Sequence, residues 1–384
     1  MTRNTIVYFG GFKLPDKNAA AHRVMANAKI LSELGFKVKL IGLSSNGQKE
    51  VIERIELNND YDIELYSIPY PSNAKEWTKY LFAINHIKDV IDESVGYVFF
   101  YNFQSFSFLR LSTTLKKRGI KCVADCTEWY GTPQGNFIKK IIKNIDTSLR
   151  MRWINRKKMD GIVTISRFLD DYYADSRTLL LPPLVDKRDA KWTNTISDVD
   201  FVNGKVVNFI YAGQPGQDKD RLREVVLALN DVKDDTKRDI VFNIIGIDEK
   251  QFLETGIPLF NFIKLHGRVS HLEVIQKIKE ADFVIFIRDD SKVNKAGFPT
   301  KFVEALSCGT PVITNSSSNI SDFLKDGVNG FLVSNSQGDL KEEIGRIVDL
   351  DKKAILTMKN YCRNDSTFDY RNYIDRFDTF LNKL

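Results

Sequence analysis

Several residue types are scarce in this chain, and each scarcity removes a class of function. Four cysteines in 384 residues, Cys122, Cys126, Cys308 and Cys362, show no zinc spacing and no disulfide density, so reduced thiols and a cytoplasmic setting are expected. No stretch approaches the roughly eighteen uncharged apolar residues of a membrane span. The opening MTRNTIVYFGGF reaches its glycines after too few apolar residues for a secretory signal, and it reads as a first β-strand. Histidine is rare, four in all, and no Ser/His/Asp set or lone activated cysteine is apparent. Repeats of solenoid length and low-complexity tracts are missing as well. The net charge of +6 is mild for this length and matters only where the excess is clustered; nucleic acid is not an expected partner.

What remains is a soluble globular composition, 43% hydrophobic and 28% charged, on a chain long enough for two domains. Short β-branched runs recur, each followed by a helical pattern. In the first half they are TIVYFGG, KVKLIGL, IELYSIP, GYVFFYN, KCVADCT and GIVTIS; in the second, VNFIYAG, DIVFNIIG, FIKLHG, ADFVIFI and TPVITN. Continuous apolar strands alternating with helices specify parallel sheets covered on both faces. The predicted fold class is α/β, two Rossmann-like, doubly wound parallel-sheet domains. The polar stretch 186–205 is the expected linker, which gives domains of 1–195 and 196–365. Residues 366–384 place Tyr370, Tyr373, Phe377 and Phe380 at helical spacing, so a terminal helix packing back on the N-terminal domain is expected. In open parallel sheets, ligands sit beyond the carboxyl ends of the strands, and two such sheets predict a central cleft.

KAGFPTKFVEALSCGTPVITN, residues 295–315, is a loop, a helix, a glycine stop and a buried strand. Gly297, Phe298 and Pro299 lead into the helix, Pro299 suits a helix start, and Thr300 and Lys301 stand beside it. The free N–H groups of that first turn, with Lys301, would hold a diphosphate. Glu304, a full turn in, matches the vicinal hydroxyls of a ribose. A packed β-α-β unit with a solvated Glu304 is the alternative. A second glycine-bearing strand-to-helix turn, YAGQPGQDKD, carries Gly213, Gln214 and then Lys219, a compact charge suited to phosphate.

The C-terminal half, from about 207 to 334, resembles glycosyltransferase family 4, retaining nucleotide-sugar enzymes of the GT-B fold. The residues that carry the resemblance are YAGQPGQDK, HGRVSHLEV, ADFVIFI, GFPTKFVEALSCGTPVI and SDFLKDGVNGFLV, in that order. ILSELGFKVKLIG, VTISRFL and LPPLVD fall at corresponding places in the first half. The resemblance implies a nucleotide-sugar donor, with Gly10, Gly11, Gly213, Gln214, Lys219, Gly297, Phe298, Pro299, Thr300, Lys301 and Glu304 around it. Two positions depart from the family. Gln214 stands where arginine is usual, and Ala296 stands where the first of two glutamates eight positions apart is expected, Glu304 being the second.

On the acceptor side, the glycine turn Gly10-Gly11 leads to a helix with His22 and Arg23 near its start, and Arg23 either grips a phosphate or is solvated. CVADCTEWYG ends a strand with Asp125 and Glu128, followed by Trp129 and Tyr130. Asp125 and Glu128 are expected to bind acceptor hydroxyls or steady developing positive charge, with Trp129 and Tyr130 as a sugar-stacking wall; Asp125 as a turn cap is the alternative. Likeness to the family implies front-face transfer with retention, the leaving diphosphate taking the acceptor proton, the catalytic contributions coming from Asp125, Glu128 and Lys219. Neither a metal nor another cofactor is expected: the Asp-x-Asp pairs Asp60/Asp62 and Asp198/Asp200 lie in polar stretches away from strand ends.

Residues 137–158, FIKKIIKNIDTSLRMRWINRKK, carry eight lysines and arginines against one acid, with Ile138, Ile141, Ile142, Ile145, Leu149 and Trp153 on one helical face. That face either packs on the sheet or lies in an anionic membrane surface. The expected activity is therefore hexose transfer from a UDP- or GDP-sugar to a glycan or lipid-linked acceptor in surface polysaccharide assembly, by a cytoplasmic protein that is peripheral on a membrane if the basic helix binds one. A nucleotide-sugar epimerase or hydrolase on the same fold and a non-catalytic nucleotide-sugar-binding subunit are the rivals.

Overall fold

The β-branched runs form two separate sheets. The structure, a computed structural model, describes residues 3–15, 17–44, 55–56, 61–69, 71, 73, 75–76, 90–129, 137–193, 205–214 and 220–384. Tyr130, Lys219, Asp60, Asp198, Asp200 and the expected boundary near 195 lie outside the described residues. The chain divides into two compact units, Met1–Asp186 with Ala296–Phe298 and Asp369–Leu384, and Lys187–Lys295 with Pro299–Phe368.

In the first unit, β1 (Thr5–Gly10), β2 (Lys37–Ser44), β3 (Ile55–Glu56), β4 (Ile63–Pro69), β5 (Val95–Tyr101), β6 (Lys121–Cys126), β7 (Gly161–Thr164) and β8 (Thr178–Leu180) line up as β3-β4-β2-β1-β5-β6-β7-β8. All pairs are parallel except the edge pair β3–β4. Strand order reverses between β1 and β5, the kind of place where open α/β sheets bind ligands. Gly10 closes β1 opposite Tyr101. A Cβ there would lie 2.5 Å from the Tyr101 carbonyl oxygen, so only glycine allows the two strand ends this approach.

Helix α1 (Ala19–Glu33) starts where the Asn18 side chain accepts from the Ala21 N–H at 2.9 Å. It buries Val24, Ala28 and Leu31 in a core shared with Ile6, Tyr8, Phe99 and Val163. The C-terminal helix Ile374–Asn382 adds Phe377, Phe380 and Leu381 to the same core. Asp186 fastens this end of the chain, accepting from Lys29 at 2.5 Å and pairing with Arg371 at 2.9 Å. Further helices are α2 (Ser105–Lys117), α3 (Phe137–Leu149) and α4 (Arg167–Tyr172).

The second unit holds β9 (Val206–Ala212), β10 (Asp239–Ile245), β11 (Ile263–Leu265), β12 (Phe283–Phe286), β13 (Val312–Thr314) and β14 (Gly330–Leu332) in the order β11-β10-β9-β12-β13-β14. Every pair is parallel, and counted along the chain this is the 3-2-1-4-5-6 order of a dinucleotide-binding fold, with its switch point between β9 and β12. Phe209, Phe242, Phe283 and Ile285 form its interior with Phe302, Val303 and Leu306 of the helix that follows β12. Its helices are α5 (Leu222–Val232), α6 (Glu249–Glu254), α7 (His271–Glu280), α8 (Thr300–Ser307), α9 (Gln337–Val348) and α10 (Lys352–Asn364).

The two-sheet α/β organisation expected from the strand pattern is thus observed. The strands absent from the prediction, β3, β8 and β14, are two or three residues long. β11 and β13 are as short but lie in the recognised apolar runs FIKLHG and TPVITN.

Candidate functional site

The second sheet presents its polar groups where β9 and β12 end. Gly213 leaves β9 at φ +139°, and Gly246 leaves β10 at φ +112°. A Cβ on Gly246 would lie 2.5 Å from the Gly213 carbonyl oxygen, so two glycines are needed for these strand ends to fold against each other. Gln214 is exposed on the turn that follows.

Beside this turn lies a buried cluster centred on Asp220. Tyr211 donates its hydroxyl to Asp220 Oδ2 at 2.6 Å, and Lys301 donates to the same oxygen at 2.5 Å. The Lys301 ammonium rests 3.9 Å from the Tyr211 ring centroid and 5.3 Å from that of Phe286. Arg288, just beyond β12, brings Nε to 3.7 Å from Asp220 Oδ1 and donates from Nη2 to Asn294 Oδ1 at 2.8 Å. Asn315 fixes the Arg288 backbone, accepting from its N–H and donating to its carbonyl, both at 2.8 Å.

Burial pushes the Lys301 ammonium and the Arg288 guanidinium below their ordinary values, with Asp220 opposing in both cases. For Asp220, burial opposes ionisation, yet the charge and hydrogen bond of Lys301 hold the carboxyl below its usual range. Two cations therefore share one carboxylate, which leaves one positive charge over within the hydrogen-bonded cluster. Tyr211, raised well above its ordinary value by burial and by Asp220, stays neutral.

Lys301 belongs to the first turn of α8, which has no side-chain cap and no acidic residue. α5 also lacks a side-chain cap but carries Glu224 in its first turn, and α6, α7, α9 and α10 are capped. An Asp248 capping box closes α6, and Ser270, Ser336 and Asp351 accept backbone N–H groups at the starts of α7, α9 and α10. The first turn of α8 has no side-chain acceptor, only the Phe302 N–H turning back to the Pro299 carbonyl at 3.1 Å, and it lies next to the cluster of Asp220, Arg288 and Lys301. A helix start of this kind takes an anion. One turn on, Glu304 Oε1 lies 3.4 Å from His271 Nε2.

The remaining expected residues fall in the first unit. Ala296, Gly297 and Phe298 belong to it, and the Ala296 carbonyl accepts from Ser166 Oγ at 2.8 Å. Ala296 is fully buried. Arg23 and Asp125, expected to touch phosphate and acceptor, instead hold each other. Arg23 Nη2 donates to Asp125 Oδ1 at 2.9 Å, Nε reaches both carboxylate oxygens, and Nη1 donates to the Leu181 carbonyl at 2.8 Å. Tyr8 donates its hydroxyl to Asp125 Oδ2 and accepts from Asn27 Nδ2 at 3.1 Å. With relative exposures of 3% and 1%, Arg23 and Asp125 are a structural pair joining α1 to β6.

Glu128 is half-buried, and its charge acts on the buried Tyr101 hydroxyl. Trp129 is half-buried too, edge-on to Tyr172 with centroids 5.1 Å apart and to Phe168 at 6.4 Å. His22 is half-buried near the start of α1, and Gly11 is exposed. Sequence reasoning gave no role to Asp220, Arg288 or His271. Arg288 carried a usable signal, a charge placed immediately after a wholly apolar strand.

Two parallel-sheet α/β units of this topology define the GT-B fold class, and the comparisons agree. Residues 200–364 match the family model for glycosyl transferases group 1. Among solved structures, the chain is similar to sucrose-phosphate synthase from Thermosynechococcus elongatus, at 13% identity and a TM-score of 0.71, covering 99% of this chain and 98% of that one. It is similar to HepE from Anabaena in complex with UDP and glucose, at 14% identity and a TM-score of 0.65, covering 99% and 100%. A glycosyltransferase from Rickettsia africae matches at 16% identity and a TM-score of 0.67, covering 99% and 98%. These likenesses establish the GT-B fold. No curated protein sequence matches the chain.

Proposed function

We propose that this protein is a retaining glycosyltransferase that moves a hexose from a UDP- or GDP-sugar to a glycan or lipid-linked acceptor, in surface polysaccharide assembly and without a metal. The observation that carries the reading is the uncapped start of α8 beside the Arg288–Asp220–Lys301 cluster. The donor diphosphate lies against the Thr300 and Lys301 end of the helix, where N–H groups and surplus positive charge stabilise the negative charge that grows as the sugar departs. Lys219 adds to that charge, and Gly213 and Gln214 supply the turn that the diphosphate lies along. Glu304 takes the ribose diol. The structural match to HepE bound to UDP and glucose makes UDP the first nucleotide to test.

The leaving diphosphate accepts the acceptor's proton as the new bond forms on the same face of the sugar, so the chain needs no nucleophile of its own. Glu128 and His22 orient acceptor hydroxyls, and Trp129 and Tyr130 form an apolar wall for the sugar. Arg23 and Asp125 act through position, keeping α1 and the end of β6 together.

Gln214 and Ala296, which replace an arginine and a glutamate of the resembled family, favour one second reading, a subunit that binds nucleotide sugar without transferring it. Calorimetry with UDP, GDP and ADP, followed by a donor-hydrolysis assay, separates the two. A transferase binds one nucleotide preferentially and slowly releases sugar from the matching donor even without acceptor. Binding with no turnover supports the second reading, and no binding of any nucleotide overturns both.

A further inference from the structure

The helix that follows β6 is built inside out. α3 continues beyond Leu149 through a π-helical turn, Arg150–Ile154, and ends with Asn155–Lys158. Its polar groups face the fold. Asp146 accepts from the Ser105 N–H at 2.8 Å, the Asp146 carbonyl accepts from Ser105 Oγ at 2.5 Å, and Arg150 Nη1 donates to the Phe103 carbonyl at 3.2 Å. Thr147, Met151 and Asn155 are buried on the same side.

Met151 and Ile154 are buried, but five other large apolar residues of the element face out. Ile142 and Ile145 are each 62% exposed, and Ile141, Leu149 and Trp153 are 40–42% exposed, so this element holds five of the ten large exposed hydrophobics among the described residues. An ordinary surface helix has the opposite arrangement. The row 141, 145, 149, 153 advances by four residues, which in an α-helix drifts around the axis, and the π turn 150–154 changes that drift over its last step.

We infer that this face docks on an anionic lipid surface. Charge selects that occupant. Residues 137–158 carry eight lysines and arginines, of which Arg150 turns inward and Arg156 pairs with Asp175, and the one acid, Asp146, is turned inward to Ser105. Arg152 and Lys157 are exposed close to Trp153 in the chain, and the Lys158 ammonium sits 5.2 Å from the Trp153 ring centroid. Apolar side chains flanked by cations suit insertion between acyl chains under anionic headgroups. A symmetric pairing of two copies through this face would instead set one cationic flank against another. The inference is independent of the donor site.

The test is co-sedimentation of the full chain with vesicles of phosphatidylcholine alone and of equal phosphatidylcholine and phosphatidylglycerol. The protein pellets with the anionic vesicles at low salt and not with the neutral ones. Binding falls about tenfold or more in Ile142→Ser/Ile145→Ser, which removes inserted apolar surface, and in Arg152→Glu/Lys157→Glu, which removes the attraction. These side chains are exposed, so both variants melt with the wild type. Failure to pellet at low salt overturns the inference, as does pelleting by both variants at the wild-type level. A wild-type dimer that Ile142→Ser/Ile145→Ser dissociates without change in vesicle binding overturns it in favour of a second copy.

Discussion

Each sheet ends in a buried polar cluster with the same ingredients, a tyrosine, a carboxylate and a guanidinium, and the two clusters differ by one charge. In the first unit Tyr8, Asp125 and Arg23 balance, one cation to one carboxylate. In the second, Tyr211 and Asp220 meet both Arg288 and Lys301. Lys301, moreover, lies in the first turn of a helix that lacks a side-chain cap. Similar residues at strand ends thus carry different charge: the first cluster is neutral, and the second keeps a cation beyond its carboxylate, the feature on which the proposed diphosphate site rests.

The largest predicted effect attacks the neutral side of this comparison. Arg23→Ala or Asp125→Ala leaves a buried charge without its partner, a loss of about 3–5 kcal/mol of stability, read from urea denaturation of each variant. Near-wild-type stability with abolished turnover would make the pair a ligand site and erase the contrast. A smaller effect sharpens the charged side. Glu304→Gln weakens UDP binding by about tenfold, the equivalent of one hydrogen-bonded contact, while inorganic pyrophosphate, which has no ribose, binds as before. An equal loss for both ligands would place Glu304 on the phosphates.

The smallest effect lies in the pH dependence of stability. Burial raises the Asp220 carboxyl, but Lys301 overcomes this and holds it below the ordinary 3.8. The stabilisation this provides is complete above that value and is lost as pH falls through the lower folded-state value. Asp220→Asn is expected to be less stable than wild type at neutral pH, with the gap closing under acid. A gap that persists unchanged in acid would mean that the Lys301 charge is not what Asp220 contributes.

Much of this was legible along the chain. β1, β2, β5, β9 and β12 are apolar runs whose buried, parallel character is written in their own residues, and Pro299 and Lys301 marked the start of α8 correctly. The pairing of charges was not legible. Lys301 and Asp220 are 81 residues apart, and Arg23 and Asp125 are 102 apart. A sequence displays each charge but not its counter-charge, so Arg23 read as either a phosphate grip or a solvated charge and Asp125 as either an acceptor contact or a turn cap, and their pairing with each other went unseen. The basic helix was ambiguous for a related reason. Its period shows that Ile142, Ile145 and Trp153 share a face, and only the fold shows that the face points outward.

The central claim is that the second cluster's surplus charge holds a diphosphate at the start of α8. Calorimetric titration of UDP and of inorganic pyrophosphate into wild type and Lys301→Ala tests it most directly. The account predicts that both ligands bind the wild type and that both lose roughly ten- to a hundredfold in the variant, the worth of a charge-assisted hydrogen bond. Unchanged affinity for both ligands in Lys301→Ala would contradict it.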